Sequence, residues 1–168
     1  LNGLRSIQSG GQTVKSSTYT DAAWAPPPAR FEGGLGNFSG MVATGAAIDY
    51  LSSLDMNAVH EHEVKLNQIM TDGVKDLPGV SIIGPEDASK RGGICSLLMD
   101  ELPAHDVALL LDEAAGVMVR SGPLCVHSRF ADRGHPLGSL RASAYLYNNE
   151  EDVRRFVDTL NEIVHTLG

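Results

Sequence analysis

The side chain whose setting points most directly to chemistry is Cys125, in the stretch Gly116-Val117-Met118-Val119-Arg120-Ser121-Gly122-Pro123-Leu124-Cys125-Val126-His127-Ser128-Arg129. An apolar run of the length of a buried strand leads into Arg120, breaks at Gly122-Pro123, and continues through the thiol into polar and basic residues. This is how a chain leaves a sheet and presents a thiol on a loop. Cysteine reacts as the thiolate, which cationic neighbours favour, so Arg120, Arg129 and a protonated His127 are the groups that would activate Cys125 where the fold brings them close. A free cysteine is equally a small hydrophobe that proteins bury often. The local sequence leaves both readings open.

The elements that must position this loop come from a chain of 168 residues, one domain or one domain plus a fragment. A hydrophobic content of 42% with 20% charged residues is that of a globular protein. The net charge of −8 and an isoelectric point near 5.1 leave no basic field for phosphates, which argues against a nucleic-acid partner. The second cysteine, Cys95, lies inside the apolar run Ile94-Cys95-Ser96-Leu97-Leu98-Met99 and reads as core. Two cysteines so placed fit a reduced, cytoplasmic setting better than a disulfide scaffold. No apolar run is long enough for a membrane span, and no leader pattern opens the chain. The first residue is Leu1, which suggests a processed or partial product.

Residues 1 to 37 carry Gly3, Gly10, Gly11, a Ser/Thr-rich stretch and Pro26-Pro27-Pro28, with little periodic apolar surface to bury locally. Such a segment is expected to lie on another body. The cluster Gly33-Gly34-Leu35-Gly36-Asn37 precedes a helical pattern from Ser39 to Leu54, with Met41, Ile48, Leu51 and Leu54 on one face. A glycine-rich turn opening a helix can hold phosphate on free amides, and it can as well be a plain connector.

A second helix is expected over Asn57 to Leu77, followed by a strand at Val80-Ser81-Ile82-Ile83-Gly84, the strand holding Cys95, and a helix over Ala104 to Ala115. His60 and His62 are two apart on the second helix and do not face each other, so they make a poor metal pair. The stretch before Cys125 supplies a further strand, and Leu140 to Tyr147 another, with Leu140, Ala142, Ala144 and Leu146 on one face and Arg141, Ser143, Tyr145 and Tyr147 on the other. Asn148, with Glu151 three residues on, is read as the cap of a last helix whose stripe is Val153, Phe156, Val157, Leu160, Ile163, Val164 and Leu167. The order of elements over residues 57–168 predicts an α+β domain, helices packed on a small, mostly antiparallel sheet.

Three motifs now carry a resemblance: Arg30-Phe31-Glu32-Gly33-Gly34 with the helix after Asn37, Val119 to Ser128, and Leu140-Arg141-Ala142-Ser143 followed by Tyr147-Asn148. In order and spacing the chain resembles the C-terminal half of a cysteine desulfurase, in the branch related to selenocysteine lyases, within the class V aminotransferases of pyridoxal-phosphate (PLP) fold type I. The resemblance implies a small C-terminal domain over residues 56–168 that carries the loop cysteine, preceded by residues 1–55 as the tail of the PLP-binding large domain and a connecting helix. It implies that Cys125 takes sulfur from L-cysteine as a persulfide, leaving alanine, for iron–sulfur cluster assembly or other sulfur transfer. Arg141 would hold the substrate carboxylate, suited to a planar fork, with Arg120 lining the same pocket. The segment around Gly34 and Leu35 would reach the PLP phosphate of a neighbouring subunit in a homodimer-type assembly.

Two departures stand out. Leu35 occupies the place of a phosphate-binding Thr, so only backbone amides near Gly34 could help there. The family's frequent Gly-His-His-Cys is Gly122-Pro123-Leu124-Cys125, which leaves His127 as a stand-in for the missing histidines. The lysines Lys15, Lys65, Lys75 and Lys90 sit in no Schiff-base setting, so PLP is expected to be held mainly by polypeptide outside this chain, with a sulfur-acceptor protein as a further partner. A selenocysteine lyase, epimerase or aminotransferase of the same family, and a non-catalytic dimerisation or scaffold half, are the other readings.

Overall fold

The computed structural model describes residues 1–168, which separate into two compact units, Leu1–Ser53 and Leu54–Gly168.

In the first unit, strands β1 (Val14–Ser17) and β2 (Ala22–Trp24) form an antiparallel hairpin whose turn is tied by Thr18, its hydroxyl accepting from the amide of Asp21. Local burial exceeds what residues 1 to 37 promise by sequence. Thr13 is fully buried, its hydroxyl donates to the Gly10 carbonyl, and its own carbonyl accepts from Ala25. The unit closes with a 3-10 turn at Ala29–Phe31 and helix α1 (Phe38–Ser52), capped by the Asn37 side chain, which accepts from the Gly40 amide. Helix α1 buries none of its residues, and Phe38, Met41, Val42 and Ile48 each stay more than half exposed.

The second unit has the predicted α+β plan. Helix α2 (Met56–Val74), capped by Asp55, leads to strands β3 (Val80–Ile83) and β4 (Ile94–Met99). Helix α3 (Ala104–Ala115), strand β5 (Arg120–Gly122), helix α4 (His127–Asp132), strand β6 (Ser139–Ser143) and helix α5 (Glu150–Leu167) complete it. The sheet order is β3-β4-β6-β5 with every pair antiparallel. Because side chains alternate across a strand, Cys95, Leu97, Leu140 and Ala142 face a core built with Leu66, Met70 and Val74 of α2, Val107 and Leu111 of α3, and the stripe of α5 from Val153 to Val164. Burying each of the large side chains is worth about 1.5–3 kcal/mol.

Helix α2 ends at Val74, short of the expected Leu77, and α1 at Ser52, short of Leu54; three further differences bear on the site. The strand before Cys125 begins at Arg120 rather than Gly116, since Gly116, at φ +64°, ends α3 and the Val117 amide turns back to the Leu111 carbonyl. Strand β6 stops at Ser143: the next amide, Ala144, donates to the Gly93 carbonyl, and Tyr145 to Asn148 form a turn. That turn occupies the Asn148 side chain with the Tyr145 amide, so α5 is capped by Asn149 in a reciprocal pair with Asp152, not by Asn148 with Glu151. Helix α4, anchored by buried Phe130, has no counterpart in the sequence reading.

Candidate functional site

The site is built on the sheet face opposite the helices. Parity puts Leu140 and Ala142 into the core, so Arg141 between them turns to the other side of β6. There it lies in a cross-strand row, pairing with Ser96 of β4 on one flank and Arg120 of β5 on the other. Arg120 is exposed at the edge strand, whereas Arg141 is half-buried and its Nε is enclosed without an acceptor. Neither arginine has a carboxylate partner among the ion pairs of the structure.

Like charges directly opposite in a ladder are destabilising, and an enclosed donor without an acceptor costs about 1–3 kcal/mol. Two guanidinium groups in this relationship form a cationic patch that an anion would relieve. A carboxylate matches Arg141 in both charge and planarity. Ser139, two residues earlier on the same side of β6, is fully buried with its hydroxyl also unpartnered.

Strand β5 ends at Gly122 and delivers the chain into a tight turn, in which the Val126 amide donates to the Pro123 carbonyl at 2.9 Å. The two central residues, Leu124 and Cys125, have φ of +50° and +66°. Non-glycine residues rarely adopt these values, and a turn with both central residues at positive φ is the mirror-image type usually filled by Asn and Gly. Cys125 is exposed at the tip, while His127 and Arg129 follow on α4, also exposed and without hydrogen-bond or ion-pair partners.

Cys95 has the opposite surroundings. It is fully buried, and burial pushes its thiol pKa up, with the charge of Arg91 pulling the other way. Arg91 belongs to a buried polar cluster that sequence patterning missed. It donates to the Thr71 hydroxyl, Thr71 donates to the Asn67 carbonyl, and the Asn67 amide group donates to the carbonyls of Arg91, Gly92 and Ile94. The cluster fixes the segment entering β4 and therefore the strand against which Arg141 is registered.

Gly34 and Leu35 belong to the first unit. The Gly34 amide, offered by sequence as a phosphate donor, is already given to the Gly11 carbonyl at 3.0 Å, and Leu35 is 86% exposed with an apolar side chain. Lys65, Lys75 and Lys90 are exposed and paired with Glu150, Asp72 and Asp87, and Lys15 lies exposed on β1. None of these four lysines has the buried, specific setting that a Schiff base with PLP requires, so the residues of this chain do not fit as the seat of that cofactor. His62 of the separated histidine pair bonds through Nε2 to the Asn148 carbonyl at 2.8 Å. No helix is long and apolar enough to cross a membrane.

Comparison with known proteins adds a consistent set of likenesses. The family model described as aminotransferase class-V matches residues 1–156. A probable cysteine desulfurase of Chlamydia muridarum is 34% identical over 168 residues, covering 99% of this chain and 41% of its own length. One from Pseudomonas putida is 36% identical over 164 residues, covering 98% of this chain and 39% of its own. Among solved structures, the apo cysteine desulfurase of Thermococcus onnurineus superposes with a TM-score of 0.82 at 33% identity, over 94% of this chain and 39% of that one. The Escherichia coli cysteine desulfurase CsdA gives 0.84 at 23% identity over 97% of this chain and 39% of that one, a likeness of fold. The chain thus spans 39 to 41% of the length of these relatives.

Proposed function

Because the chain belongs to the aminotransferase class-V family, we propose that it is the substrate-gripping and sulfur-accepting part of a PLP-dependent cysteine desulfurase. The observation that carries this reading is the cross-strand pair Arg120–Arg141, unpartnered by any carboxylate and standing on the strands that flank the loop of the one exposed thiol. Arg141, by its planar fork, binds the carboxylate of L-cysteine, and Arg120 adds charge at the open edge of the same patch. Cys125 then receives the sulfur: its thiol becomes a persulfide, the Cβ–S bond of the substrate is replaced by Cβ–H, and alanine leaves. PLP supplies the activation of the substrate carbon, from polypeptide other than this chain's lysines.

The exposed thiol favours sulfur transfer over transamination, which makes no use of a nucleophile there. Helix α1, apolar and wholly unburied, fits an assembly in which further polypeptide covers it, such as the remaining length of the relatives and a second subunit. A sulfur-acceptor protein, iron–sulfur cluster assembly as the destination and a cytoplasmic setting complete the proposal; both cysteines are free, in keeping with a reducing compartment. The scaffold reading draws support from Leu35 and the engaged Gly34 amide, and it is separated by one experiment. The chain, joined with its PLP-bearing polypeptide, is supplied with L-cysteine, and alanine is measured. Alanine release abolished by Cys125→Ala and retained in Cys95→Ala supports the desulfurase; no release from the unaltered assembly supports the scaffold.

A further inference from the structure

We propose that Gly138 is a positioning residue for Cys125, acting by closing the neck of the loop that carries the thiol. The proposal rests on the reading of Cys125 as the sulfur acceptor. The loop leaves the sheet at Gly122, the last residue of β5, and returns at Ser139, the residue paired with Gly122 across the ladder. Between them run the Pro123–Val126 turn and α4, whose buried Phe130 accepts from the His135 amide through its carbonyl at 2.9 Å. The His135 carbonyl in turn accepts from the Gly138 amide at 2.9 Å. The path therefore folds back on its own start.

At the point of return the two backbones touch. A β-carbon built on Gly138 would come closer than 3.0 Å to the carbonyl carbon and oxygen of Gly122 and to the nitrogen of Pro123, all of them backbone atoms with no freedom to swing aside. Gly138 also has φ +87°, which a side chain would strain. Gly134, in the same loop, shares the positive φ, at +81°, but a β-carbon there meets open space. The pair separates conformational strain from close approach.

The consequence for the thiol follows from sequence adjacency. Pro123, directly after Gly122, opens the turn in which Leu124 and Cys125 have positive φ, so displacing that backbone releases the turn and moves the sulfur. Misplacement of a reacting group by about 1 Å can cost on the order of 100-fold in turnover.

The test compares Gly138→Ala with Gly134→Ala in the assembly that turns over cysteine, reading the exchange of the Val126 amide, alkylation of Cys125 by iodoacetamide and steady-state kinetics. In Gly138→Ala the Val126 amide exchanges about tenfold faster or more, the alkylation rate of Cys125 changes several-fold, and kcat falls by about 10- to 100-fold while KM for cysteine stays within about twofold. Gly134→Ala leaves all three near the unaltered values. A Val126 amide that exchanges equally in both variants, or a loss confined to KM, overturns the proposal. Should Gly138→Ala fail to fold, the unaltered assembly still decides: the Val126 and Gly138 amides exchange slowly and together, and free exchange at Val126 contradicts a closed neck. If Cys125→Ala keeps full turnover, the sulfur-acceptor reading fails, while the exchange and alkylation results still judge the clamp.

Discussion

Arg120 and Arg141 stand directly opposite each other across the β5–β6 ladder, two cations neither of which is in an ion pair with a carboxylate. A bidentate grip on a carboxylate is lost when a planar fork is replaced by a point charge. Arg141→Lys is expected to raise KM for L-cysteine by about 10- to 100-fold, the equivalent of one charge-assisted hydrogen bond worth about 1.5–3 kcal/mol. Arg120→Gln raises it less. In the substrate-free chain Arg120→Gln relieves like-charge opposition and adds a few tenths of a kcal/mol of stability. Steady-state kinetics and denaturant unfolding of the two variants check both signs.

The two thiols should separate by reactivity. Cys125 is exposed at the tip of a turn, whereas Cys95 is fully buried and burial raises its pKa. One equivalent of a thiol reagent reacts with the native chain, and mass mapping finds it on Cys125. The second equivalent enters only in denaturant.

Packing of α2 on α5 turns on Gly73. A β-carbon there would come closer than 3.0 Å to both methyl groups of Val157. Alanine improves helix propensity by about 1 kcal/mol, but overpacking costs about 1–3 kcal/mol, so Gly73→Ala is expected to be destabilising. Adding Val157→Ala to it should recover part of the loss. Urea unfolding of the single and double variants reads the coupling.

Acid sensitivity has an identifiable contributor in Glu150. Its carboxyl is held below the ordinary glutamate value of 4.5, first by the hydrogen bond from Lys65 and then by that from Arg154. A carboxylate whose pKa is lower folded than unfolded adds stability above the unfolded pKa and loses it as pH falls through the folded one. The stability difference between the unaltered chain and Glu150→Gln is therefore level above about pH 5.5 and shrinks below pH 4.5. Denaturant midpoints measured across that range report it.

How far the sequence disclosed the fold depended on period. The α5 stripe from Val153 to Val164 repeats often enough to be read without ambiguity, and all six of its predicted positions in that span are buried. The alternation Leu140, Arg141, Ala142 placed Arg141 on the face away from the helices, which is where the structure has it. Shorter features lacked a period to read. Helix α4 is six residues with Phe130 as its one buried side chain, and the hairpin pairs the short strands Val-Lys-Ser-Ser and Ala-Ala-Trp. The polar cluster of Asn67, Thr71 and Arg91 was hidden because its bonds link a helix to a loop 20 to 27 residues away. The role of Gly138 depends on a backbone approach that no local pattern encodes.

Sulfur transfer to Cys125 can be weighed directly. The assembly containing this chain is incubated with L-cysteine labelled with a heavy sulfur isotope, and the peptide bearing Cys125 is weighed without reduction. One labelled sulfur is expected at Cys125, none at Cys95, with one alanine formed for each sulfur bound in the first turnover. Alanine produced with Cys125 unmodified, or at an undiminished rate from Cys125→Ala, would rule out Cys125 as the sulfur acceptor.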